Sequence, residues 1–320
     1  MKASAYEKTG APDVLKYIEL PDPVCGPNDV RIDVNAISLE GGDVLNRGFG
    51  EKPTGHFVVG YAAAGTVIEV GNEVPTIKVG QRVTTLGGAG SHAEQRVVSS
   101  LTCWVLPDSV DFAQGACIPV TCGTAHEGVF EFGGLQPDET LLVQGGAGGV
   151  GVVAIQLAKE IGATVYATAS SDERLAKLIA MGLDAGINYA QSNLVAEVMR
   201  LTDKRGVHVV LDPVGGHVLE QSIASAGHRG RIVSVGTASR DFDKVNMAGL
   251  APGNKTLTGV FLGAEIATSR VQGVVGELVS KMAEGKLSVP IDRTFGLSEA
   301  AEAHAYVESR QAVGRVILVP

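Results

Sequence analysis

The stretch ETLLVQGGAGGVGVVAIQLAKEIGATVYATASSDER, from Glu139 to Arg174, limits what this chain can fold into more than any other. Leu141, Leu142 and Val143 form a short apolar run that halts at glycines, as a strand buried on both faces does. From Val150 the apolar residues fall at Val150, Val153, Ala154, Leu157, Ala158 and Ile161, a helical period that ends at Gly162 as at a C-cap. Thr164 to Ala169 then reads as a second strand.

Between strand and helix, Gly146, Gly148 and Gly151 give G-x-G-x-x-G. Glycines there let the main chain turn sharply and bring backbone N–H groups against a pyrophosphate at the helix N-terminus. The turn Gly146, Ala147, Gly148, Gly149, Val150, Gly151 is therefore the expected phosphate cradle of a dinucleotide, and a ligand-free glycine turn is the weaker reading. NAD sites usually place a carboxylate about 20 residues after the first glycine. Here the second strand ends in Ala169-Ser170-Ser171, with Arg174 beyond, a donor set suited to a 2′-phosphate. NADPH is the expected cofactor, although Asp172 and Glu173 stand beside these donors and Ser171 also reads as the cap of the next helix.

The rest of the chain fits two domains. At 320 residues and 45% hydrophobic composition it can bury a large core. A net charge of -9 disfavours nucleic acid or an anionic membrane as partner. Cys25, Cys103, Cys117 and Cys122 form no C-x-x-C pair, and no apolar run reaches the roughly 18 residues of a membrane span. Reduced thiols in a cytoplasmic protein are expected.

Residues 1 to 110 read as β structure, with runs at Val14 to Leu20, Asp29 to Ile37, Phe57 to Val70, Gln81 to Thr85 and Ala93 to Val98. Ala113 to Ala116 and Thr124 to Phe132 are helix-compatible. After the glycine unit, helices at Asp172 to Met181, Asn193 to Leu201 and His217 to Ala226 alternate with strands at Val207 to Leu211, Arg231 to Val235 and Thr256 to Leu262. That alternation predicts a Rossmann doubly wound parallel sheet. A helix from Ile266 to about Gly285, a run Val289 to Phe295, a helix Ser298 to Ser309 and a strand Val316 to Val319 close the chain.

The N-terminal MKASAYEKTGAPDVLKYIELPDPVCGPNDVRIDVNAIS, GYAAAGTVIEVG at 60 to 71, VQGGAGGVG at 143 to 151, GINY at 186 to 189, LDPVGG at 211 to 216 and GRIVSVG at 230 to 236 carry a wider resemblance. The chain resembles, over nearly its whole length, the zinc-independent, zeta-crystallin-like quinone oxidoreductases of the medium-chain dehydrogenase/reductase superfamily. That resemblance implies a GroES-like, mainly antiparallel β catalytic domain from residues 1–120 and 262–320, with the Rossmann domain at 121–261 inserted in it.

Alcohol dehydrogenases of the superfamily hold a catalytic zinc with a Cys, a His followed by Glu, and a second Cys. The matching positions here hold Glu40, Tyr61 with Ala62, and Val120, which cannot supply three ligands. Cys122 and His126, at helical spacing, make the one alternative metal pair, and packing roles are commoner for both. No metal is expected. Hydride delivery to a quinone, or to the β-carbon of an enone or enal, is the reaction left.

The resemblance assigns Thr124 to the nicotinamide and Arg174 and Tyr189 to the 2′-phosphate. It gives Gly215 and Phe261 to close backbone approach, and Tyr61, Phe49 and Leu45 to the acceptor cleft. At Glu40-Gly41-Gly42-Asp43 the chain departs from the family's Asn-Pro-x-Asp. Glu40 reads as an ionised carboxylate that repels an anionic acceptor, as a proton donor with a raised pKa, or as a carboxylate satisfied by backbone or by Arg47. Asp212 reads as a strand terminator through turn bonding. An NADPH:quinone reductase is the leading expectation. An alkene reductase and a non-catalytic NADPH-binding, crystallin-like protein stand beside it. An apolar Thr256 to Leu262 at a sheet edge predicts a homodimer.

Overall fold

The computed structural model describes Met1–Pro320. The chain forms two compact units, one from Met1–Gly123 with Glu265–Pro320, the other from Thr124–Ala264. In chain order the first contains β1 (Lys2–Tyr6), β2 (Lys16–Glu19), β3 (Asp29–Ser38), α1 (Gly41–Phe49), β4 (Phe57–Val58), β5 (Ala62–Val70), β6 (Arg82–Leu86), β7 (Gln95–Ser99), β8 (Cys103–Val105) and α2 (Phe112–Cys117).

In β3 the side chains alternate: Val30, Ile32, Val34 and Ala36 are buried, while Asp33 and Asn35 face solvent. The alternation sets the buried face, while backbone groups on the two edges of β3 pair with neighbours. β5 pairs along one edge of β3, and β7 pairs along the other from Asp29 to Asp33. Register shifts between Arg31 and Ile32 and between Val34 and Ala36 bend the pair, as bulges do. The expected single run Phe57 to Val70 is instead two strands. Gly60, at φ +113°, breaks it where a side chain would overlap Ser91 and His92. Tyr61 is left in the bend between them.

The second unit begins within α3 (Gly123–His126) and a π-helical stretch, Glu127–Glu131, in place of the single helix expected from Thr124 to Phe132. It continues through β9 (Thr140–Val143), α4 (Gly149–Glu160), β10 (Thr164–Ala169), α5 (Asp172–Ala180), β11 (Ala185–Asn188), α6 (Leu194–Leu201), β12 (Val207–Asp212), α7 (His217–Ser225), β13 (Ala226–Ser234) and β14 (Thr256–Gly259). The strands form one parallel sheet in the order β11-β10-β9-β12-β13-β14, the doubly wound order 3-2-1-4-5-6. Leu141, Leu142, Val143, Val209, Val210 and Leu211 are fully buried at its centre, each worth about 1.5–3 kcal/mol of apolar transfer. β14 ends at Gly259, short of the expected Leu262. Val260 still donates its N–H to Ser234 at 2.9 Å, after which Leu262–Ala264 turns as a 3-10 helix.

The chain then returns to the first unit with α8 (Ser269–Ala283), β15 (Ile291–Gly296), α9 (Ala300–Glu308) and β16 (Arg315–Val319). β16 pairs antiparallel with β3 at Ile37 and Ser38, completing a sheet ordered β15-β16-β3-β5-β6-β8. A smaller sheet, β2-β1-β4, stands beside it. No helix is long and apolar enough to cross a membrane.

Candidate functional site

The glycine turn is shaped by two close approaches and one opening. A Cβ on Gly146 would lie 2.6 Å from Ala167 Cβ, and one on Gly151 would lie 2.6–2.8 Å from the Gly146 backbone. Both glycines are therefore required for packing. Gly148 differs, since a Cβ there would meet only Gly145 O, at 3.4 Å. It is the N-cap of α4, and no side chain caps that helix, so the space before its first turn is left to something else. Ala147, Gly149 and Val150 complete the turn, which is tied to β10 by Gly146 N–H to Thr168 O at 2.8 Å and Gly145 N–H to Thr168 Oγ1 at 2.9 Å. These features fit a bound pyrophosphate.

At the tip of β10 the expected donors meet. Arg174 Nη1 donates to Ser170 Oγ at 2.9 Å, while Ser171 Oγ accepts the Arg174 N–H as the cap of α5. Asp172, which stood against a 2′-phosphate in the sequence, is engaged elsewhere: its Oδ1 accepts Asn188 Nδ2 at 2.7 Å. Tyr189 joins the group through its N–H to Ala169 O at 3.2 Å, with a ring 53% exposed. A hydroxyl and a guanidinium with no carboxylate between them fit a phosphate monoester.

Gly215 sits beyond β12 at φ +68°, where only glycine is at ease. Asp212 Oδ1 accepts the N–H of Val214 at 2.8 Å and of Gly215 at 2.9 Å, so this aspartate does terminate its strand by turn bonding. Its other oxygen takes Ser222 Oγ at 2.7 Å. Phe261 is 78% exposed after β14, and its carbonyl accepts Ala264 N–H. Thr124 is half-buried on α3.

Glu40 and Tyr61 lie in the other unit. Glu40 is the buried N-cap of α1, and Arg47 is not its partner. Arg47 binds Gly10 O and Glu308 instead. The Glu40 carboxylate is held by Arg315 Nη2 at 2.7 Å, Ser38 Oγ at 2.7 Å and Thr121 Oγ1 at 3.2 Å. Arg315 also donates to Ser38 Oγ at 3.2 Å and to Leu39 O. Both carboxylate oxygens thus have partners, with Arg315 as the cation in place of Arg47.

Tyr61 is fixed by its backbone and by its ring. Asp43, fully buried, accepts Tyr61 N–H at 3.2 Å and Glu40 N–H at 2.8 Å. Burial pushes the Asp43 carboxyl up to about 8, against the pull of those two N–H groups. Arg96, 2% exposed and lowered by burial to about 10, donates to Tyr61 O at 2.9 Å. On the ring, Asn46 Nδ2 donates to the phenol oxygen at 2.7 Å, and burial raises the phenol above its ordinary pKa. Asn46, Arg96, Thr121 and Arg315 carried no signal in the sequence, because each acts through a fold-level contact.

No group of three or more His, Cys, Asp or Glu side chains is placed to hold a metal ion. Cys117 and Cys122 are fully buried, and burial holds Cys117 up at about 12. The donor set around Glu40 therefore does not fit a catalytic zinc.

Comparison with known proteins agrees with this architecture. Residues 26–108 match the alcohol dehydrogenase GroES-like domain, and residues 149–280 match the zinc-binding dehydrogenase model. A quinone oxidoreductase of Pseudomonas aeruginosa is 33% identical over 315 residues, 97% of each chain. The crystal structure of Escherichia coli quinone oxidoreductase complexed with NADPH superposes with a TM-score of 0.95 at 28% identity, covering 100% of both chains. A 2-haloacrylate reductase superposes at 0.85 with 28% identity, covering 100% of this chain and 99% of that one. With a GroES-like unit, a doubly wound parallel unit and end-to-end similarity of this strength, the chain belongs to the quinone oxidoreductase family of the medium-chain dehydrogenase/reductase superfamily.

Proposed function

We propose that this protein is an NADPH-dependent oxidoreductase that reduces a quinone without a metal ion. The observation that carries the reading is the Arg174 to Ser170 pair at the tip of β10, with Asp172 turned away to Asn188. Gly146, Gly148 and Gly151 would hold the pyrophosphate against α4, and Ser170, Ser171, Arg174 and Tyr189 the 2′-phosphate, with Thr124, Gly215 and Phe261 along the rest of the cofactor. Bound NADPH supplies hydride. The protein supplies orientation and a hydrogen bond to the acceptor's carbonyl oxygen.

A second reading, reduction of a conjugated alkene beside a carbonyl, is supported by the likeness to a 2-haloacrylate reductase. Both acceptors need the same hydride and the same stabilised oxygen. The free thiols Cys25, Cys103, Cys117 and Cys122 suit a cytoplasmic setting. β14 ends the sheet order with Phe261 exposed just beyond it, which supports a homodimer across that edge.

Oxidation of NADPH by the chelator-treated protein, followed with a quinone and separately with a 2-alkenal, tests the reading. Turnover with the quinone is expected. Turnover only with the alkenal selects the second reading, and NADPH binding without turnover selects a non-catalytic, crystallin-like role. Turnover lost on chelation and restored by zinc overturns the metal-free chemistry.

A further inference from the structure

Gly42 and Tyr61 form one device. A Cβ on Gly42 would overlap the Tyr61 ring at Cε2, so the ring occupies room that only glycine on the first turn of α1 provides. One turn further along the same helix, Asn46 Nδ2 reaches the phenol oxygen at 2.7 Å. The Tyr61 backbone is held at both ends, its N–H by Asp43 and its C=O by Arg96 and by Gly87 N–H at 2.9 Å. Helix, glycine, amide, the buried Asp43 carboxyl and the buried Arg96 guanidinium thus all serve the placement of one ring.

What they leave open is a single hydrogen. The phenol oxygen accepts from Asn46, and the phenolic O–H has no acceptor among its hydrogen bonds. Its neighbours Val59, Ala62 and Ala63 are at most 1% exposed, whereas Tyr61 itself is only half-buried, so an outside acceptor can reach it. With Asn46 donating to the phenol oxygen, the hydroxyl hydrogen is left to turn toward an outside acceptor such as a ligand carbonyl. Burial raises the phenol's pKa, so it keeps that proton at neutral pH.

Resting on the oxidoreductase reading above, we propose that the Tyr61 hydroxyl donates a hydrogen bond to the carbonyl oxygen of the electron acceptor and that Asn46 is its positioning residue. As hydride adds to the acceptor's carbon, the displaced electron pair moves onto that oxygen. The Tyr61 hydrogen bond stabilises the resulting oxyanion, Tyr61 retains its proton, and a proton from water completes the reduction. An enone depends on this donor more than a quinone, because a quinone accepts hydride more readily and needs less help from the protein.

The test uses the full chain with NADPH and either 2-cyclohexen-1-one or 1,4-benzoquinone, comparing Tyr61→Phe, Asn46→Ala and Asn46→Asp. Tyr61→Phe is expected to lower kcat on cyclohexenone by about 100-fold, the usual scale for losing an oxyanion donor, with a smaller loss on benzoquinone and KM little changed. Asn46→Asp is expected to lose more than Asn46→Ala, since a carboxylate would accept the phenolic hydrogen and aim it away from the substrate. A second readout needs no turnover. The Tyr61 ionisation, taken from tyrosinate absorbance as the difference from Tyr61→Phe, should move to higher pH in Asn46→Ala and further in Asn46→Asp.

Wild-type turnover retained by Tyr61→Phe on both acceptors overturns the donor. Equal behaviour of the two Asn46 variants, or an unmoved Tyr61 titration, overturns its positioning. A wild-type protein that reduces neither acceptor overturns the underlying activity, and Tyr61's role falls with it.

Discussion

Arg315 Nη2 lies 2.7 Å from Glu40 Oε2, joining the first residue of β16 to the N-cap of α1 with both side chains largely buried. The pair fixes Glu40 as an ionic, hydrogen-bonded corner of the fold. Removing one partner of a buried pair typically costs about 3–5 kcal/mol, whereas removing both is often close to neutral. Arg315→Met should therefore be destabilised by about that much, and Glu40→Gln with Arg315→Met should recover most of the loss. Urea unfolding of the three proteins reads this directly, and a double variant as unstable as the single would refute it.

Arg174→Ala removes the guanidinium from Ser170. NADPH binding should weaken by about 1–3 kcal/mol, the scale of a lost charged hydrogen bond, with NADH nearly unchanged. Calorimetric titration with each cofactor checks it, and equal losses would remove the 2′-phosphate assignment.

The glycine turn separates packing from binding. Gly151→Ala forces a Cβ against the Gly146 backbone and should cost about 1–3 kcal/mol of stability, as overpacking does. Gly148→Ala meets only Gly145 O, at ordinary van der Waals distance, and should fold normally, yet its methyl occupies the approach to α4, so NADPH affinity should fall. Melting temperatures and cofactor titrations on the two variants should move in opposite patterns.

Asp43 makes stability depend on pH in an unusual direction for a carboxylate. Its folded pKa is raised to about 8 by burial, against about 3.9 in an unfolded chain. Across that window the folded protein holds a proton that the unfolded chain has released. The contribution is fully present below about pH 4 and is lost as pH rises through about 8, at up to about 1.4 kcal/mol per unit. Wild type should lose stability relative to Asp43→Asn between about pH 5 and 8, and parallel profiles would show that Asp43 titrates normally.

Val260→Lys places a charge beside the exposed end of the parallel sheet. The variant should remain folded and sediment as a monomer where the unmodified protein sediments as a dimer. A monomeric unmodified protein at micromolar concentration would end the dimer proposal.

Local patterns were legible in the sequence where local physics decides the outcome. The strand, glycine turn and helix of β9 and α4 are visible because apolar period, glycine spacing and a C-terminal glycine all agree. β11 leaves no pattern, because Ala185–Asn188 is too short to show a period. The break at Gly60 was hidden because β-forming residues flank it on both sides, and only its φ of +113° gives it away. The sequence suggests Arg47 as the partner of Glu40, two turns along the same helix, whereas the partner is Arg315, which reaches the same corner across 277 residues from Ser38. Nothing local encodes such a pairing.

The return of β16 to β3 also sets an order in time. Everything needed for the parallel sheet lies between Thr124 and Ala264, so that unit can close while the ribosome is still adding the last segment. The sheet of the first unit lacks its pairing of β16 with β3 until the end. β3, made near the start of synthesis, waits for Ile317 and Leu318, and Glu40 waits for Arg315. A nascent chain stalled just short of Arg315 would therefore carry a finished parallel sheet, an unpaired end of β3 at Ile37 and Ser38, and a Glu40 without its cation.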